Sequence, residues 1–154
     1  MEISEITSPE AVLANLKPNS KKQLLQEMAA AAAPLVALDE RLIFDTLLQR
    51  ERLGSTGVGN GVAIPHGKLP GIDRIYGIFA RLTKPVEFES MDDQPVDVVF
   101  MLLAPEGSGA DHLKALSRIA RLLRDQSMLA QLRSATDKDA IFTLLTSTEN
   151  ANAA

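Results

Sequence analysis

The sequence predicts a three-layer α/β/α architecture, one sheet enclosed by helices on both faces. Three observations predict it. The run Val98-Val99-Phe100-Met101-Leu102-Leu103 is apolar at every position, as a central strand covered on both faces must be. Two more aliphatic and aromatic segments of strand length, residues 62–65 and 75–82, precede it. Helical periodicity occurs both before and after these strands, which supplies a layer for each face.

The first helix is predicted over residues 21–33. Ser20 followed by Gln23 makes a capping box, and Leu24, Leu25, Met28 and the alanines sustain the period. The pattern lapses at Pro34. Asp39 is placed to cap a second helix whose apolar face is Leu42, Ile43, Leu47 and Leu48, with Gly54 ending it. From Gly54 to Gly61 the chain reads Gly-Ser-Thr-Gly-Val-Gly-Asn-Gly, too glycine-dense for a helix or a strand interior, and a loop is expected. Strands follow at residues 62–65, 75–82 and 96–104. After a turn from Pro105 to Gly109, Asp111 opens a helix with Leu113, Leu116, Ile119, Ala120 and Leu123 on its inner side. Short helices over residues 127–133 and 137–146 complete the chain, and residues 147–154 read as a frayed tail. No repeat or linker divides the 154 residues, so one domain over 1–154 is expected.

Composition closes several chemistries. The absence of cysteine excludes disulfides, thiolate metal sites and a cysteine nucleophile. A formal charge of −4 and a pI near 5.2 provide no basic field for nucleic acid. The start of the chain is acidic and polar, unlike a secretory signal. The longest apolar stretch, residues 28–38, contains Pro34 and is shorter than the roughly 20 residues that span a bilayer. A cytoplasmic protein without membrane insertion is expected. Arg118, Arg121 and Arg124 repeat at helical spacing, which reads either as a solvated helix edge or as a protein-docking face.

The only two histidines both follow turn-forming segments. His66 stands after Val62-Ala63-Ile64-Pro65, where a sheet can hold it rigidly against a loop-lined cleft. An incidental surface histidine in a Pro-His-Gly turn is the plainer alternative. The glycine loop can turn successive amides towards an anion such as phosphate, or can be no more than a flexible connection. It lacks the ending of a P-loop. His112, in the first turn of its helix, is placed to stay neutral and to donate to a nearby anion, or simply to finish the helix end. Asp111 and His112 diverge around a helix, which leaves too few convergent ligands for a metal. No Gly-x-Ser-x-Gly elbow supports a serine hydrolase.

The run from Gly54 through Val62-Ala63-Ile64-Pro65-His66-Gly67 to Lys68 closely resembles the active-site segment of enzyme IIA proteins of the mannitol/fructose type in the bacterial phosphotransferase system. Asp93-Gln94-Pro95-Val96-Asp97-Val98-Val99-Phe100 and His112-Leu113-Lys114-Ala115-Leu116 resemble further segments of its nitrogen-related branch. The resemblance implies an α+β fold, a mixed sheet with helices on both sides. It implies that His66 accepts a phosphoryl group as tele-phosphohistidine and that His112 lies beside it and stabilises phosphoryl oxygens. Arg50 is placed near the cleft as a charge stabiliser, and Ser55, Thr56, Gly59 and Gly61 are candidate phosphoryl-binding positions. Each has a plainer alternative: Arg50 completes a helix surface, and the hydroxyls shape a turn. No metal or cofactor is implied.

The resemblance further implies a phosphohistidine carrier protein, HPr or its nitrogen-branch counterpart NPr, as donor. Two functions share that step. One is regulatory: phosphorylation adds a charge of roughly −1.5 to −2 and switches target proteins in nitrogen or potassium metabolism, such as a potassium transporter or a sensor kinase. The other is sugar transport, His66 passing phosphate to a separate enzyme IIB. A binding module without phosphotransfer is the third reading. Leu69 and Pro70 are expected to rim the cleft, with Arg118 and Arg121 nearby to assist charged partners.

Overall fold

The computed structural model describes residues 1–147. Its elements run α1 (Ile3–Ile6), a 3₁₀ turn (Pro9–Ala11), β1 (Val12–Leu16), α2 (Lys21–Val36), α3 (Glu40–Arg52), β2 (Gly57–Gly59), β3 (Val62–Ala63), β4 (His66–Leu69), β5 (Tyr76–Val86), β6 (Val96–Pro105), α4 (Gly109–Arg124), α5 (Gln126–Ser134) and α6 (Lys138–Leu145). The sheet has six strands in the order β1-β5-β6-β3-β2, with β4 also paired to β6. It is mixed: β1 runs parallel to β5, β3 and β4 run parallel to β6, and β5 is antiparallel to β6.

The all-apolar β6 explains the layering. Strand side chains alternate between faces, so Val99, Met101 and Leu103 pack with Leu24, Met28, Ile43 and Leu47 of α2 and α3. Val98, Phe100 and Leu102 pack with Ile119, Leu129 and Ile141 of α4, α5 and α6. The three-layer α+β architecture with a mixed central sheet is therefore observed.

Several details differ from the sequence reading. The helix α2 continues through Pro34 to Val36 and closes on Ala37 in the left-handed conformation. Proline removes the bond its own N–H would have given to the Ala30 carbonyl and crowds that carbonyl with its ring. Pro34 and Ala30 lie on the exposed face, where water can take that carbonyl. Ser20 and Asp39 cap α2 and α3 as expected, but Leu42 is exposed and does not join the buried face of Ile43 and Leu47. The glycine segment is not all loop: β2 pairs antiparallel with β3. Gly59, Asn60 and Gly61 have φ of 100, 57 and 79°, values that glycine and asparagine tolerate. Their density serves a tight hairpin turn. On α4 the buried row is His112, Ala115, Ile119 and Leu123, while Leu113 is 69% exposed. The helix is rotated so that a histidine takes the inward position assigned to a leucine. Of the expected tail, Ser147 is hydrogen bonded through Oγ to the Leu144 carbonyl at 2.8 Å, and the rest lies outside the described residues.

Candidate active site

The edge of β6 carries two consecutive partners. Its upstream part pairs with β3 through Val98 and Val99, and its downstream part pairs with β4 from Leu102 to Pro105. Between them Ile64 and Pro65 break the ladder, held by Leu102 N–H donating to the Pro65 carbonyl at 2.9 Å. His66 is therefore the first residue of a new strand rather than the end of an old one. Its neighbour Gly67 faces α3, where an added Cβ would lie 2.7 Å from Thr46 Cγ2. By strand alternation His66 and Lys68 point the other way, towards α4.

An open cleft of about 490 Å³ forms there, lined by Thr46, Gln49, Arg50 and Leu53 of the α3 end, by His66, Gly67 and Lys68 of β4, and by His112 of α4. The two imidazoles meet edge to face, centroids 5.4 Å apart and planes at 69°. Arg50 and Lys68 are fixed cations, and no carboxylate lines the cleft. The site attracts anions.

His66 Nδ1 lies 2.9 Å from the Ile64 carbonyl oxygen. A carbonyl only accepts, so Nδ1 carries the proton and Nε2 of the neutral ring keeps its lone pair. Burial pushes the His66 pKa below its ordinary value. The Ile64 hydrogen bond opposes that shift, Arg50 adds to it and Glu51 opposes it. His112 is also pushed down, first by burial and then by His66 and Lys68. Burial and the Lys68 ammonium thus favour the neutral ring that the sequence led one to expect at the start of this helix. His112 Nε2 is buried and has no hydrogen-bond partner within the protein. Together these features provide a neutral nucleophile and nearby groups suited to negative charge.

The structure thus brings His66, His112 and Arg50 together, and Arg50 also donates to the Gly54 carbonyl at 2.9 Å. The other candidates lie elsewhere. Ser55 Oγ donates to the Phe88 carbonyl at 2.6 Å and accepts from Gly57 N–H at 3.0 Å. The Thr56 hydroxyl is bound to Glu51. Both hydroxyls are occupied in shaping the turn. The Gly61 carbonyl accepts from Asp97 N–H, roughly 16 Å along β6 from the Leu102 that pairs with His66, at about 3.3 Å per residue. Gly59 lies beside Asp92 in the same hairpin, so neither glycine cradles an anion at His66. Leu69 is fully buried and cannot rim the cleft. Arg118, roughly 9 Å along α4 from His112 at about 1.5 Å per residue, pairs with Glu2 at 3.4 Å. Neither it nor Arg121 lines the cleft.

Sequence reasoning missed Thr46, Gln49, Leu53 and Lys68. The first three share with Arg50 the i, i+3, i+4, i+7 spacing of one helix face, a signal that could have found them. Among the described residues, no group of three His, Cys, Asp or Glu could hold a metal ion, and no helix is long and apolar enough to cross a membrane.

Residues 5–148 match the model of the family described as phosphoenolpyruvate-dependent sugar phosphotransferase system, EIIA 2. The chain is 63% identical over 145 residues to a nitrogen regulatory protein of Bradyrhizobium diazoefficiens, covering 94% of this chain and 95% of that one. It is 37% identical over 150 residues to the nitrogen regulatory protein of Escherichia coli, covering 97% and 92%. The crystal structure of nitrogen regulatory protein IIA-Ntr from Neisseria meningitidis superposes with a TM-score of 0.89 at 35% identity, covering 94% of this chain and 99% of that one.

Proposed function

The chain belongs to the EIIA 2 family of the phosphoenolpyruvate-dependent sugar phosphotransferase system, and from that premise we propose that it is a phosphocarrier whose His66 accepts a phosphoryl group from a phosphohistidine carrier protein of the HPr or NPr type. The observation that carries this reading is the tautomer of His66. With Nδ1–H donated to the Ile64 carbonyl, Nε2 is the nitrogen that can attack phosphorus.

The bond from phosphorus to the donor imidazole breaks as the bond to Nε2 forms, and the attack is in line. The donor ring, protonated on its other nitrogen, leaves as neutral imidazole. His66 keeps its Nδ1 proton and becomes positively charged against the phosphoryl dianion. Arg50, Lys68 and His112 surround the place where that charge develops, and fixed donors in such a position lower the barrier. One phosphorus–nitrogen bond replaces another, so transfer is reversible.

Relatives bearing the name nitrogen regulatory protein favour a signalling role. Targets in nitrogen or potassium metabolism would read the charge at His66. The test is incubation with phosphoenolpyruvate, enzyme I and the histidine phosphocarrier, followed by mass analysis. An acid-labile, base-stable phosphoryl adduct on His66 is expected. An acid-stable adduct, or labelling that persists in His66→Ala, refutes the assignment.

A further inference from the structure

Beside the cleft, on the core side of the same helical turn that delivers Arg50, sits a carboxylate that the transfer step does not use. The Glu51 side chain is 3% exposed. A buried carboxylate is costly unless paired and hydrogen bonded, and this one is satisfied from three directions. Lys21 Nζ lies 3.1 Å from Oε1, the Thr56 N–H donates to Oε1 at 3.0 Å, and the Thr56 hydroxyl binds Oε2. The contacts continue towards the nucleophile. The Thr56 carbonyl accepts from Ile64 N–H at 3.0 Å, and the Ile64 carbonyl accepts from His66 Nδ1 at 2.9 Å.

We propose that Glu51 is a positioning residue of the His66 site, acting through Thr56 and the Ile64 backbone to fix the ring orientation and the protonated nitrogen. Ile64 falls in the gap between β3 and β4 along β6, where its amide donates to the Thr56 carbonyl and so extends the β2–β3 pairing by one residue. Thr56 is in turn anchored at both its amide and its hydroxyl by one carboxylate. Moving Thr56 would turn the Ile64 carbonyl and free Nδ1. The negative charge of Glu51 also opposes the effect of Arg50 on His66. The charged and titratable groups facing His66 are Arg50 and Glu51 from α3, Lys68 from β4 and His112 from α4. Glu51 itself faces Lys21 of α2, beyond which Glu89 lies 3.3 Å from the same ammonium.

The rate consequence rests on the phosphocarrier reading, whereas the tautomer consequence does not. The experiment records imidazole ¹⁵N spectra across a pH titration, single-turnover phosphorylation by the phosphocarrier, and urea unfolding. The proteins are wild type, Glu51→Gln, Thr56→Val and Thr56→Ser. In Glu51→Gln, the His66 titration midpoint is expected to fall and the Nε2–H tautomer to grow. Transfer should slow by about tenfold to a hundredfold, the scale of a small misplacement of a reacting atom. Thr56→Val should move in the same direction and Thr56→Ser should recover wild-type behaviour. If Glu51→Gln does not fold, the Val and Ser pair decides. Variants that unfold earlier yet keep the wild-type tautomer ratio, midpoint and rate would overturn the proposal, leaving Glu51 a structural ion pair. If even the wild type accepts no phosphoryl group, the phosphocarrier reading fails, and the spectra alone decide the role of Glu51.

Discussion

At the residue scale, two imidazoles divide one task. His66 is half-buried at the head of a strand, so His66→Ala removes a nucleophile more than a packing element. It should abolish phosphoryl acceptance while circular dichroism stays native; labelling at the wild-type rate would exclude His66. His112→Ala should leave His66 labelled but slow transfer by about 10² to 10³, the usual contribution of an oxyanion donor. Unchanged rates in both directions would make it a packing residue only. Both histidines have pKa values depressed chiefly by burial, which sets the sign of two pH effects. The neutral nucleophile should persist as pH falls past the ordinary histidine value of about 6.5, and be lost only below it. Unfolded histidines take up protons there that the folded ones refuse. Stability from this source is therefore present above the unfolded pKa and lost as pH falls towards the folded one. NMR titration and urea unfolding between about pH 7.5 and about pH 5.5 check both signs; midpoints at or above the ordinary value contradict them.

At the scale of elements, the approach of α3 to β4 determines whether Arg50 reaches His66. Gly67 permits it, since a methyl there would lie 2.7 Å from Thr46 Cγ2. Gly67→Ala should cost about 1–3 kcal/mol by overpacking. Thr46→Ser deletes that methyl and retains a hydroxyl able to bind the Leu42 carbonyl, as Thr46 does, so the double variant should regain most of the loss. A double-mutant cycle by urea unfolding without coupling would show that this contact does not set the spacing. What the sequence revealed follows the same logic of packing. The continuous apolar run of β6 and the capping residues Ser20 and Asp39 were legible because burial and capping leave fixed residue types. The edge strand β1 was not, being short and only partly buried. The strand β2 hid among glycines that a hairpin turn requires. Counting leucines placed Leu113 inside α4, although the inward position holds His112, whose burial serves the cleft. His66 and His112 were legible as the only two histidines, each after a turn-forming segment, and resemblance gave them their roles and added Arg50. Glu51 was not, because a charged residue in the last turn of a helix reads as solvated until the Thr56 loop folds over it.

For the whole molecule, the question is how a partner protein reaches a half-buried nitrogen. Leu53 lines the cleft and is 84% exposed, and Leu113, next to His112, is 69% exposed. Single exposed leucines are ordinary, but Leu53 lines the cationic cleft of Arg50 and Lys68 and Leu113 follows His112 in the first turns of α4, on the side from which a docking protein must exclude water from the transferring group. The basic residues Arg118 and Arg121, by contrast, lie further along α4 and do not line the cleft. Docking should therefore depend on the leucines rather than on that basic edge. Leu53→Ser and Leu113→Ser should each change stability by no more than about 0.5 kcal/mol, as exposed substitutions do. Each should nevertheless lower transfer from the phosphocarrier at limiting concentration by roughly tenfold, the scale of a truncated interface anchor. Neither leucine touches the reacting atoms, so the rate at saturating donor should be unchanged. Arg121→Ser, the control on the basic edge, should leave both regimes as in the wild type. Single-turnover rates across a donor titration separate these effects. If the leucine variants match the wild type at every concentration while Arg121→Ser does not, the donor approaches along the basic edge of α4.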